Sequence, residues 1–153
     1  MKKIIMVLSI AFLLPNCQDD DVIVTNEPVI IEFQEVKKLM HTVPVLSPVS
    51  GIGNEYIMNS AAEFNILTAF YTPSIFADVE IDFTQSTVIA VIDDYRTGPY
   101  YDINIASITQ TDNTVLVSVD KTSEPSELVG VVNQPAHIVR IPKTTLPVVF
   151  EYQ

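Results

Sequence analysis

Side chains able to do chemistry are few in this chain of 153 residues. Its histidines are His41 and His137. His41 falls in a stretch that reads as loop, and no GxSxG-type elbow supplies a nucleophile for it to activate. His137 shares strand parity with Val139 and Ile141, so it is expected inside the core or at its margin, as a structural histidine. Two isolated histidines also give no HExxH or comparable zinc spacing. Asp93-Asp94 closes one apolar run and Asp102 opens the next. Across the loop between them they could form a calcium site or an acid pair, yet no DxDxDG loop is present and acids at strand ends are commonly just solvated. The chain holds four glycines and no phosphate-cradling loop. The expectation is a protein without catalytic residues, cofactor or resident metal.

The most unusual stretch is Tyr95-Arg96-Thr97-Gly98-Pro99-Tyr100-Tyr101, with three tyrosines and one arginine within seven residues. Tyr and Arg are enriched at protein-binding hot spots, because they bury much area with few rotors. Gly98-Pro99 supplies a tight turn able to present them. Two uses stay open: contact with a partner through Tyr95, Arg96, Thr97, Gly98, Tyr100 and Tyr101, or tyrosines folded inward to plug the end of a sheet.

The one cysteine, Cys17, rules out an intrachain disulfide and a thiolate metal cluster. It follows a basic start, Met1-Lys2-Lys3, and an apolar run from Ile4 to Leu14 interrupted only by Ser9. That run has the length of a signal-peptide core and is too short to span a bilayer, which takes ~20 residues. The arrangement resembles a bacterial lipoprotein signal, in which the cysteine becomes the lipid-modified first residue. Asn16 departs from the small residue usual before that cysteine. Acyl chains contribute ~0.8 kcal/mol per buried CH₂, so several on one residue anchor a protein without a transmembrane helix. The reading is therefore an outer-membrane, lipid-anchored protein. Gln18-Asp19-Asp20-Asp21 is either a solvated acidic spacer or similar to the export tag of surface lipoproteins in some Gram-negative bacteria.

Charge narrows the partners further. The formal charge is −11, and loss of Lys2 and Lys3 with the signal takes it to −13. Binding a phosphate backbone needs clustered Lys and Arg to replace counterions, which excludes nucleic acid. Attachment to anionic lipid through basic side chains is disfavoured on the same ground.

The elements that position these residues read mainly as β. The expected organisation is a signal at 1–16, a lipidated cysteine and acidic tether at 17–28, and one domain at 29–153. Val29 to Val36 alternates as one strand with Val29, Ile31 and Phe33 on one face. Thr42 to Asn54 contains Pro44, Pro48, Gly51 and Gly53 and reads as loop with an edge strand at most. Ser60-Ala61-Ala62-Glu63 is a capping box, with the Glu63 carboxylate reaching back to the Ser60 amide. Phe64, Leu67 and Tyr71 follow at helical spacing, Ile66 and Phe70 widen the apolar side, and Pro73 ends a helix of about 60–71. Thr87 to Ile92 is apolar on both faces and should be a central strand, with the helix over one side. Tyr101–Ile105 and Val115–Asp120 alternate and face each other across a polar turn at 110–113, as in an antiparallel hairpin. Ala136–Ile141 and Leu146–Tyr152 complete an α+β fold: a predominantly antiparallel sheet or small sandwich with one packed helix.

Three blocks in order resemble the protease complex subunit PrcB family over about the last 75 residues. They are Ile81-Asp82-Phe83-Thr84-Gln85-Ser86-Thr87-Val88-Ile89-Ala90-Val91, then Arg96-Thr97-Gly98-Pro99-Tyr100 with the alternating strand after it, then Gln134-Pro135-Ala136-His137-Ile138-Val139-Arg140-Ile141-Pro142-Lys143. The family shows a "PTGGY" turn and a late "PYHIVRIPK"-like strand. Pro99 stands at the turn's second glycine, and Ala136 where an aromatic is common. The resemblance implies a lipid-anchored accessory subunit that assembles or stabilises an exported protein, a surface protease complex in the founding case. The Thr97-Gly98…Tyr100 turn is also loosely similar to the inhibitory loop of chagasin-type cysteine-protease inhibitors, which gives the alternative function. A calcium-binding or small-ligand surface protein centred on Asp93, Asp94 and Asp102 is the third.

Overall fold

A computed structural model describes residues 27–39, 55–94, 96–97, 100–124 and 132–153, with the backbone alone at 96, 97, 100, 124, 132 and 133. The elements in chain order are β1 (Val29–Ile30), β2 (Gln34–Leu39), β3 (Glu55–Met58), α1 (Ala61–Thr68), β4 (Ser86–Ile92), β5 (Arg96–Thr97), β6 (Tyr100–Gln110), β7 (Val115–Glu124), β8 (Val132–Asn133), β9 (Ala136–Pro142) and β10 (Val148–Tyr152). One sheet has the order β1-β6-β7-β10, a second β2-β9-β4-β3, and β5-β8 is a short ribbon. The α+β sandwich with one packed helix is the observed fold.

β4 holds it together, because both of its faces are apolar and both are covered. Ile89 and Val91 join Val139 and Ile141 of β9 against Ile103, Ile105, Ile108, Val115, Val117 and Val119 of the other sheet. Val88, Ala90 and Ile92 point the opposite way and pack with Phe64, Leu67 and Tyr71. Strands buried on two sides read as unbroken Val/Ile runs. Every residue from Thr87 to Val91 is fully buried.

The helix starts where its cap demands. Ser60 Oγ accepts from the Glu63 amide at 3.3 Å, and Glu63 Oε2 accepts from the Asn59 amide at 2.6 Å, one residue before the position expected. These bonds hold the Glu63 carboxyl below its usual range, with the Asn59 amide the largest influence. The helix is shorter than its sequence pattern. After Thr68 the chain tightens through Phe70 N to Leu67 O and Tyr71 N to Thr68 O, and Pro73 forces Thr72 to an extended ψ of 127°. Phe64, Leu67 and Tyr71 are buried as their spacing requires, whereas Ile66 is 66% exposed and does not widen the packed side.

One strand expectation needs correction. The stretch 29–36 is not one strand: β1 pairs with β6 in one sheet and β2 with β9 in the other. Ile31 N still donates to Ile108 O at 2.8 Å, and the chain then crosses to the second sheet by Gln34. Ile31 and Phe33 keep the inward face through this corner, while Val29 is exposed. The last strand runs parallel to β7, with Val148 opposite Val115 and Tyr152 opposite Val119. The β6–β7 hairpin forms as read, closed by Thr111 N to Thr114 O at 2.9 Å. Its register slips once between Ile105 and Ser107, so Ala106 is the extra residue of a bulge.

Candidate functional site

Arg96–Thr97 and Tyr100–Tyr101, the described part of the Tyr/Arg stretch, lie at the end of the sandwich opposite the 111–114 turn. Its described backbone is held from two sides: Arg96 and Thr97 pair with Asn133 and Val132, and Tyr100 and Tyr101 pair with Glu124 and Ser123. Tyr101 is half-buried, which suits both plugging and partner contact. Tyr95, Gly98 and Pro99 lie outside the described residues, as do Cys17, the Gln18–Asp21 acids, His41 and the 42–54 stretch.

Beneath that end sits an ion pair between the sheets. Asp93 continues the inward parity of Ile89 and Val91, and Lys121 continues that of Val115, Val117 and Val119. Lys121 Nζ stands 2.8 Å from Asp93 Oδ1, with the Asp93 side chain only 3% exposed. The Asp93 amide donates to Pro135 O at 2.9 Å, which fixes the strand end against the approach to β9. The same ammonium lies 4.7 Å from the Tyr152 ring centroid, a cation–π contact. Burial, followed by a hydrogen bond to Glu55 and the negative charges of Glu55 and Asp93, pushes the Tyr152 hydroxyl above its usual range. Glu55 belongs to the edge strand β3 and Tyr152 to the edge strand β10, so this bond ties the two sheets at one side.

At the other side Lys38 does comparable work. Its Nζ lies 3.0 Å from Asp102 Oδ2 and 3.3 Å from Asn104 Oδ1, linking β2 to β6. Asp102 Oδ1 is buried without a hydrogen-bond partner. Asp93 and Asp102 thus each hold a different lysine, and Asp94 is exposed. They do not converge as a calcium site or an acid pair. Among the described residues no group of three or more His, Cys, Asp or Glu could hold a metal ion.

His137 is buried, as its parity indicated. Its Nδ1 accepts a hydrogen bond from the Ile105 amide at 2.9 Å, across the sandwich and beside the Ala106 bulge. Its Nε2 stands 3.4 Å from Glu35 Oε2, and the Phe33 ring meets it edge-on at 6.4 Å. Burial lowers the imidazole below its usual range; Glu35 and Asp102 oppose this and Lys38 adds to it.

A groove of about 490 Å³ runs between α1 and residues 73–83, lined by Phe64, Tyr71, Phe76 and Phe83 with Asn65 and Thr68 at its polar margin. Phe76 packs edge-on against Phe64 at 5.8 Å and against Tyr71 at 5.6 Å. Burial pushes the Tyr71 hydroxyl up to about 12, with Tyr56 adding to the effect. Phe64 and Tyr71 are core side chains of the helix-side cluster, as their spacing indicated, and Phe76 and Phe83 pack partly buried against it.

Lys121, Tyr152, Glu55 and Lys38 were not singled out from sequence. Lys121 did leave a signal: a lysine on the inward parity of an otherwise apolar strand needs a buried acid to meet it. No helix among the described residues is long and apolar enough to cross a membrane. Comparison with protein-family models, with curated proteins and with solved structures finds no match to this chain.

Proposed function

We propose that this chain is a non-catalytic lipoprotein, anchored to the outer membrane through Cys17, that serves as an accessory subunit binding or stabilising an exported protein. The resemblance to the PrcB family points to a protease complex as that partner. The observation that carries the reading is the mounting of the Arg96–Tyr101 stretch. Two ladders hold the backbone of Arg96–Thr97 and of Tyr100–Tyr101 at one end of the sandwich, over the pair that Lys121 makes with the buried Asp93. A hot-spot loop gains from such a base, because a backbone already held in place loses less entropy on binding. The acids and the buried histidine near that end are engaged in ties between strands, which supports a framework role over a catalytic one.

The test has two parts. Labelled palmitate should enter the wild-type protein and not a Cys17→Ser variant. Substituting Tyr95, Arg96 and Tyr100 by Ala should abolish recovery of a stoichiometric partner with the melting temperature unchanged. Equal recovery would refute the loop assignment. An inhibition assay separates the chagasin-like alternative, since an accessory subunit leaves papain-like and subtilisin-like enzymes at full rate.

A further inference from the structure

We propose that His137 is an acid-sensitive latch: protonation of its ring withdraws the acceptor that holds the Ile105 amide, and so releases the bulged middle of β6 from β9. The geometry dictates the tautomer. A backbone amide can only donate, so Nδ1, 2.9 Å from the Ile105 nitrogen, carries the lone pair and Nε2 carries the hydrogen. A second proton can enter only at Nδ1. It would then point at the Ile105 N–H, leaving two donors face to face where there was a bond.

The groups facing the ring permit this titration rather than forbid it. From β2, the Glu35 carboxylate stands 3.4 Å from Nε2, and Lys38 lies in the same region. From β6, Asp102 contributes a second negative charge, itself paired with Lys38 at 3.0 Å. From β4, the residue opposite His137 is the apolar Val91. Two carboxylates against one ammonium favour an imidazolium that stays in place, with the Glu35 carboxylate 3.4 Å from Nε2 while Nδ1 repels the strand. Burial of the ring lowers its proton affinity, so the latch stays closed at neutral pH and opens only below the ordinary imidazole range.

Ile105 sits at the register slip, where the ladder to β7 is already interrupted. The His137 bond supplies a partner for this amide from the other sheet, and its loss removes that cross-sheet tie from the strand that begins at Tyr100 and Tyr101. The latch stands on this geometry alone and does not require a partner protein.

Nuclear magnetic resonance of the full isotope-labelled chain tests it. Long-range nitrogen–proton correlations at pH 7.5 should show His137 protonated at Nε2 and bare at Nδ1. As the ring titrates, the protection factor of the Ile105 amide, corrected for intrinsic exchange, should fall at least tenfold. In His137→Asn, Oδ1 takes the place of Nδ1 and does not titrate, so protection should stay level. Nδ1 protonated at pH 7.5, or wild-type protection level through the ring's titration, overturns the latch. Equal loss in His137→Asn does so too. If that variant does not fold, the two wild-type measurements decide alone.

Discussion

Lys121 Nζ lies 2.8 Å from Asp93 Oδ1 at the end of the sandwich, and the pair joins the sheet that carries β7 to the sheet that carries β4. The lysine side chain is one-third exposed, whereas that of the aspartate is 3% exposed and taken out of water. Removing the cation therefore takes a counter-charge from a buried carboxylate. A fully buried pair broken this way costs about 3–5 kcal/mol, and the partial exposure of the lysine reduces that here to about 2 kcal/mol. Lys121→Met should lower the urea midpoint accordingly. An unchanged midpoint would show that the pair contributes nothing to holding the sheets.

The two faces of β4 lead to a second prediction. Ile89 is fully buried between the sheets, so Ile89→Ala should cost about 2–5 kcal/mol through lost transfer energy and the cavity left behind. Ile66, on the helix and 66% exposed, should cost less than about 0.5 kcal/mol when replaced by Ala. Denaturation of the two variants checks this, and comparable losses would contradict the packing described.

Stability should also depend on pH through His137. Its folded proton affinity is lowered relative to the ordinary value of 6.5, so the folded state binds fewer protons than the unfolded chain. The sign follows: the contribution is fully present above 6.5 and is lost as pH falls below it toward the folded value. Wild type should lose more stability than His137→Asn between pH 7 and pH 5, by urea titration at each pH. Parallel losses would mean that the ring titrates alike in both states.

These elements differ in how much of them could be read from sequence, and the differences have physical causes. The double-sided burial of β4, the Ser60 cap and the β6–β7 hairpin are written in local patterns of residue type, so they were legible. The corner between β1 and β2 was not, because Ile31 and Phe33 keep one inward face while the chain changes sheet. The parallel pairing of β10 depends on a crossing that no alternation encodes, and β3 offers only four residues, Glu55–Met58. At the site, the inward parity of His137 was readable, but its bond to the Ile105 amide depends on a bulge at Ala106 that no glycine marks. The lysines that bind Asp93 and Asp102 lie 28 and 64 positions away along the chain, and only the register brings them together.

The central claim is that this end of the sandwich meets an exported protein. Site-specific photo-crosslinking in living cells tests it most directly, with the probe placed at Arg96 or Tyr100 and, for comparison, at Asn113. Asn113 occupies the turn at the far end of the β6–β7 hairpin. A single defined adduct from Arg96 and Tyr100, absent from Asn113, is the result expected. Adducts of equal yield from all three positions, or from Asn113 alone, would contradict it.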